Sequence, residues 1–86
     1  MSYVINFKPA ALRQIRKLPK QLQSTIITAI EELSDNARPE GCKKLKNSDS
    51  LYRIRVAKSY RVIYEIQDKQ LMILIVKIGH RSDIYK

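Results

Sequence analysis

The chain has no tryptophan, one cysteine, one histidine, two glycines and only 8 acidic residues against 17 basic ones. Each scarcity removes a class of chemistry. Cys42 has no partner for an intrachain disulfide, which fits a reducing compartment. Cys42 and His80 together cannot complete a protein-only zinc shell, so no metal and no cofactor are expected. Gly41 and Gly79 stand far apart, and no glycine-rich phosphate loop can be written around either. Ser82, His80 and Asp83 share one short stretch and cannot converge as a hydrolytic triad does. The longest apolar run, Leu71 to Val76, falls well short of the ~20 residues of a membrane span. Met1-Ser2-Tyr3 lacks the pattern of a signal peptide. A soluble cytoplasmic protein with no membrane partner is the expectation, and 86 residues make one domain, 1–86.

What is abundant is positive charge, and its placement matters more than the net +9. Lys43, Lys44, Lys46, Arg53, Arg55, Lys58 and Arg61 lie within nineteen residues that hold a single acid, Asp49. Glu31, Glu32, Asp35 and Glu40 cluster just before them. A strand alternates its side chains with period two, so Tyr52-Arg53-Ile54-Arg55-Val56 turns apolar groups one way and two guanidiniums the other. Tyr60-Arg61-Val62-Ile63-Tyr64 repeats the pattern. A one-sided cationic field attracts polyanions and gives non-specific affinity for nucleic acid.

Tyr3–Phe7 reads as a first strand. Pro9 suits the first turn of a helix, followed by Ala11, Leu12, Ile15 and Leu18 at helical spacing. Pro19 interrupts, and a second amphipathic helix runs from about Lys20 to Leu33. After the Asn36, Pro39, Gly41 loop the period becomes two. A short strand is expected at Lys43–Lys46, then Leu51–Ala57 and Tyr60–Ile66 joined through Lys58-Ser59, then a last strand Leu71–Ile78 ended by Gly79. That last strand is apolar on both faces and is expected to be central. The order predicts an α+β domain: an N-terminal strand and an antiparallel two-helix hairpin packed on one face of a mostly antiparallel sheet of four or five strands. The opposite face is left open, with the arginines on it.

Lys43-Lys44-Leu45, the two Tyr-Arg strands and Gly79-His80-Arg81-Ser82-Asp83-Ile84-Tyr85, in this order and at these separations, resemble the RelE/ParE family of toxin–antitoxin toxins, in its RelE-like branch. The resemblance spans nearly the whole chain. It implies a ribosome-dependent endoribonuclease that cuts mRNA and inhibits translation. Its implied partners are a cognate antitoxin, the ribosome with its mRNA, and operator DNA reached through the antitoxin complex. Carried over by motif position, the implied catalytic residues are Arg53, Arg55, Arg61, Arg81 and Tyr85. His80 joins them as the one side chain that titrates near neutrality. Lys43, Lys44, Lys46 and Lys58 are expected to contact RNA or ribosome. Arg61 and Arg81 would fork onto phosphate oxygens, and Tyr85 would stack on a base.

The best-known RelE-type toxins carry lysines at the positions of Arg53 and Arg55. Arginine remains protonated in proteins, so these two are expected to grip and stabilise phosphate rather than remove a proton. A ParE-like inhibitor of DNA gyrase, without catalysis, is the alternative the same fold would serve. An exposed apolar strip between Leu12 and Leu33 is expected to receive a helix of the antitoxin.

Overall fold

The computed structural model describes residues 2–46, 48–82 and 84. A five-stranded sheet is formed by Val4–Phe7 (β1), Lys43–Lys44 (β2), Leu51–Val56 (β3), Tyr60–Gln67 (β4) and Met72–His80 (β5). Its spatial order is β1-β5-β4-β3-β2. β1 runs parallel to β5, and every other neighbour pair is antiparallel. The helices Pro9–Arg16 (α1) and Lys20–Leu33 (α2) fall between β1 and β2 in the chain. Pro9 opens α1 in the first turn, where a missing N–H costs nothing. Pro19 caps α2 in an extended conformation.

One core lies between helices and sheet. Ala11 and Ile15 from α1 and Ile26, Ile30 and Leu33 from α2 meet Ile54, Val62, Tyr64, Ile73, Ile75 and Ile78 from the strands. Fully burying one such aliphatic side chain contributes about 1.5–3 kcal/mol. The apolar stripe of the helices is therefore spent on this core. The expected exposed strip between Leu12 and Leu33 does not exist as such, because Leu12, Leu18, Leu22, Ile27 and Ala29 are half-buried and Ile15, Ile26, Ile30 and Leu33 are buried. Among the described residues, Val4 alone of the large apolar side chains is markedly exposed. No helix among the described residues is long and apolar enough to cross a membrane.

Three expectations are corrected. The middle strand is β4, not β5, because β1 pairs with the outer edge of β5. β5 also continues through Gly79 to His80. Its apolar look on both faces comes from Met72 and Leu74, half-buried on the face opposite the buried Ile73 and Ile75, and the strand also carries a β-bulge. Ile63 faces Lys77 while Tyr64 faces Ile75, leaving Val76 as the extra residue. Before the bulge Ile73 and Ile75 point to the core; after it Ile78 does.

The β3–β4 connection is the third. It takes three residues, Ala57 to Ser59, rather than two. Ala57 and Lys58 both adopt left-handed backbone angles, φ 51° and 66°. A side chain there crowds the following carbonyl and costs roughly 1–2 kcal/mol per residue. Pro39 to Cys42 makes a contrasting turn: the Cys42 N–H donates to the Pro39 carbonyl at 3.0 Å, and Gly41 supplies the positive φ of 89°. These two sites should respond with opposite sign in urea unfolding. Ala57→Gly is expected to stabilise by about 0.5–1 kcal/mol. Gly41→Ala is expected to destabilise by about 1 kcal/mol through its backbone alone, since an added Cβ meets nothing within 4 Å. Equal responses at the two positions would contradict this account.

Candidate functional site

The face of the sheet away from the helices is assembled by the β3–β4 register. Arg55 lies directly opposite Arg61, and Arg53 opposite Ile63, so all three arginines leave from one side. On the far side of β3, Lys43 of β2 is opposite Arg53 and joins the same row. Like charges directly across a strand pair repel, so this row is a local cost to folding. Arg61 is largely buried, with 9% of its surface exposed, whereas Arg55 is exposed and Arg53 half-buried. One guanidinium nitrogen of Arg61 donates to the carbonyls of Tyr60 at 3.2 Å and Lys58 at 3.4 Å. Its guanidinium is thus held against the β3–β4 turn, not left to sweep the surface.

A groove of about 560 Å³ runs around the edge of β3, where β2 has already ended. Arg53, Arg55, Arg61 and Lys43 line one side. Glu32 from the last turn of α2 and Glu40 from the Pro39–Cys42 turn line the other, with Asn36 and Pro39. The sequence set these acids apart from the basic segment. Pairing of β2 with β3 brings them back onto the wall of the same groove, a tertiary effect that no local pattern announces.

The remaining candidates divide. His80 is opposite Tyr60, whose neighbours Val62 and Tyr64 face the core, so its ring leaves from the helix side of the sheet. It meets the Tyr60 ring edge-on, centroids 5.5 Å apart. Its Nδ1 accepts the backbone N–H of Ser82 at 3.1 Å and lies 2.8 Å from the Ser82 hydroxyl. A backbone N–H can only donate, so the neutral ring carries its proton on Nε2. The structure does not bring His80 into the arginine row. Arg81 is exposed, and its backbone N–H donates to the Ser59 carbonyl at 2.7 Å, beside the turn that holds Arg61. Strand alternation carried one residue past His80 gives Arg81 the same side as Gly79, which is opposite Arg61. Tyr85 lies outside the described residues. Lys44 pairs with Tyr52 and so leaves from the helix side; Lys46 is an exposed turn residue and Lys58 an exposed residue of the β3–β4 turn. No group of three or more metal-binding side chains occurs among the described residues.

The groove wall is fixed from behind by a clamp. Arg38 donates to both carboxylate oxygens of Asp68, at 3.3 and 2.9 Å, and its Nε donates to the Tyr52 hydroxyl at 3.2 Å. Its guanidinium also lies over the Tyr52 ring, 5.1 Å from the centroid. The Tyr3 hydroxyl donates to Asp68 at 2.7 Å. Bonds from Arg38 and then Tyr3 hold the Asp68 carboxyl below the usual carboxylate range. One residue before Arg38, the Ala37 carbonyl accepts the buried Tyr64 hydroxyl at 2.9 Å. The turn that carries Glu40 therefore leaves from an anchored point.

Comparison with known proteins agrees with this architecture. A family model described as the ParE toxin of type II toxin–antitoxin system, parDE, matches residues 5–85. The chain belongs to the RelE/ParE toxin family. This toxin is 27% identical over 88 residues to the mRNA interferase toxin RelE of Escherichia coli strain K12, covering 99% of this chain and 92% of that protein. Its fold is similar to a chain of the intact E. coli RelBE toxin–antitoxin complex, with a TM-score of 0.81 and 25% identity, over 92% of this chain and 96% of that one. It is also similar to a chain of the archaeal RelE–RelB complex from Pyrococcus horikoshii, with a TM-score of 0.83 and 26% identity, over 96% and 99%. Two helices packed on a five-stranded mixed sheet make the RelE-like fold.

The clamp gives this toxin a signature in acid. A carboxyl whose folded pKa is depressed stabilises fully above its unfolded pKa, roughly 3.9, and loses that contribution as pH falls through the lower folded value. Wild type and Asp68→Asn should therefore differ in urea midpoint at pH 6, and the difference should shrink below about pH 4. A gap that stays constant from pH 6 to pH 2 would show that Asp68 acts by shape alone.

Proposed function

We propose that this toxin is a ribosome-dependent mRNA endoribonuclease that inhibits translation and is neutralised by a cognate antitoxin. The observation that carries the reading is the placement of Arg55 directly opposite Arg61, with Arg53 and Lys43 alongside, on one wall of an open groove. Such a row attracts polyanions, and a bent RNA backbone brings several phosphate oxygens at once. Attack of a 2′-hydroxyl on the adjacent phosphate develops extra negative charge on the phosphorane. Fixed guanidiniums stabilise that charge more than they stabilise the ground state, which is the requirement for catalysis. Arg61, held by backbone carbonyls, is the preorganised donor; Arg81 reaches the same side from the strand end. Tyr85 is assigned to base stacking. His80 is assigned to holding the Ser82 turn from which Arg81 departs.

Dependence on the ribosome fits the same geometry. An open groove can stabilise charge but cannot by itself hold a flexible single strand in line for attack; a ribosome presenting the mRNA supplies that order. The relatives' complexes with RelB support a protein antitoxin as partner. An acidic, partly disordered segment folding over the arginines would neutralise them, and the complex would bind operator DNA.

The decisive experiment induces the wild type and the Arg61→Ala/Arg81→Ala variant in cells and maps mRNA 5′ ends. Wild type should generate internal ends in translated messages, and the variant should lose them by roughly 10²-fold or more. Equal cutting of free RNA without ribosomes would overturn the proposal. A second reading, a gyrase inhibitor without catalysis, is favoured by the ParE description of the matching family model. Inhibition of gyrase supercoiling by wild type, with message 5′ ends unchanged, would replace the first reading by the second.

A further inference from the structure

Cleavage by 2′-hydroxyl attack needs an acceptor for the hydroxyl proton, and the cationic wall contains none. Arginine does not deprotonate in proteins, and the ammonium of Lys43 offers donors and no acceptor. His80 leaves from the other face of the sheet, with its unprotonated Nδ1 already accepting from Ser82. Among the described residues lining the groove, only Glu32 and Glu40 carry a side chain able to accept a proton at neutral pH.

The geometry points to Glu40 as the general base of the nuclease reaction, an inference that rests on the nuclease reading above. Glu40 is at the first central position of the Pro39–Cys42 turn, whose Gly41 takes the positive φ and whose ends are joined by the 3.0 Å hydrogen bond. The turn is tied at both sides. Arg38 is clamped to Asp68 just before it, and Lys43 pairs opposite Arg53 just after it. The carboxylate is thus delivered to the groove by the strand that pairs with the arginine row. Glu32 comes from α2 and is shared with a second groove, lined also by Thr25, Arg55 and Val56, whereas Glu40 lines only the groove that holds Arg53 and Arg61. Glu40 is exposed and makes no ion pair among the described residues, so it is not already neutralised by Arg38 or another cation.

In the step, the O2′–H bond breaks and its proton passes to a carboxylate oxygen of Glu40. The O2′–P bond forms as the P–O5′ bond breaks, and the electron pair leaves on O5′, which takes a proton from solvent water. The products are a 2′,3′-cyclic phosphate and a 5′-hydroxyl end. Arg53, Arg55 and Arg61 face the phosphate during this step; Lys43 and Glu32 are the other charged groups around the groove.

Charge and proton transfer predict opposite signs for one substitution, and this makes the test sharp. Removing a negative charge from a cationic groove tightens polyanion binding. Removing a general base slows chemistry by roughly 10²–10⁴-fold. Purified Glu40→Gln, Glu40→Asp and Glu32→Gln proteins would be compared with wild type on ribosomes carrying a defined message. The single-turnover cleavage rate and the half-saturating protein concentration would be measured, with thermal melts to confirm folding. The expected result is a rate loss of roughly 10²-fold or more in Glu40→Gln, at an unchanged or lower half-saturating concentration, with partial activity in Glu40→Asp. The inference is overturned if Glu40→Gln cuts as fast as wild type or faster, if its loss lies wholly in binding, or if Glu32→Gln alone reproduces it. Those outcomes leave the nuclease reading intact; a wild type that cuts no message on ribosomes removes both.

Discussion

A fully buried tyrosine sets the terms for the rest of this molecule. Tyr64 has no exposed surface, sits on the middle strand, and stacks with Tyr52 at 6.1 Å between ring centroids. Burial pushes its phenol well above the ordinary tyrosine range, so the hydroxyl stays protonated and needs an acceptor. The acceptor is the carbonyl of Ala37, just beyond the end of α2. That one bond ties the helical layer, the connecting loop and the sheet together. From it follow the position of Arg38, its bidentate contact with Asp68, and the point from which the Glu40 turn departs. The shape of one groove wall is in this sense dictated from inside the core.

The other wall is dictated by strand pairing, and it works against folding. Placing Arg55 opposite Arg61 concentrates like charge where a purely structural sheet would alternate signs or use threonines. The core beneath offsets this with a continuous aliphatic layer. Arg61 is also desolvated, with carbonyl oxygens of Tyr60 and Lys58 standing in for part of its water. Stability is supplied on one face of the sheet and electrostatic potential is held on the other. A small domain with few elements can do both only because its helices are confined to one side.

Much of this was legible in the chain because it is local. Helical spacing located α2 at the residues observed, Pro9 marked the start of α1, and the alternation of Tyr52 to Val56 placed Arg53 and Arg55 on a common face. Features that depend on distant pairing were not legible. Nothing near Val4 signals a parallel partner some seventy residues away at Met72. Ala57 and Lys58 occupy left-handed positions without the glycine or asparagine that announces them. Glu40 reads as part of an acidic patch preceding the basic run until β2 folds back beside β3. His80 looked like a neighbour of the arginines because of Arg81, yet adjacent residues on a strand point to opposite faces.

That last point turns on Val76. The extra residue shifts β5 by half a period, so everything after it exchanges sides relative to an uninterrupted strand. Were the same residues paired without the bulge, Gly79 would be carried to the helix side and His80 to the arginine side, with no change in composition. The bulge thus acts as a parity setting for the C-terminal end: a shift from bulged to regular pairing would exchange which side chains the arginine face receives, while leaving β1, both helices and the β3–β4 hairpin as they are.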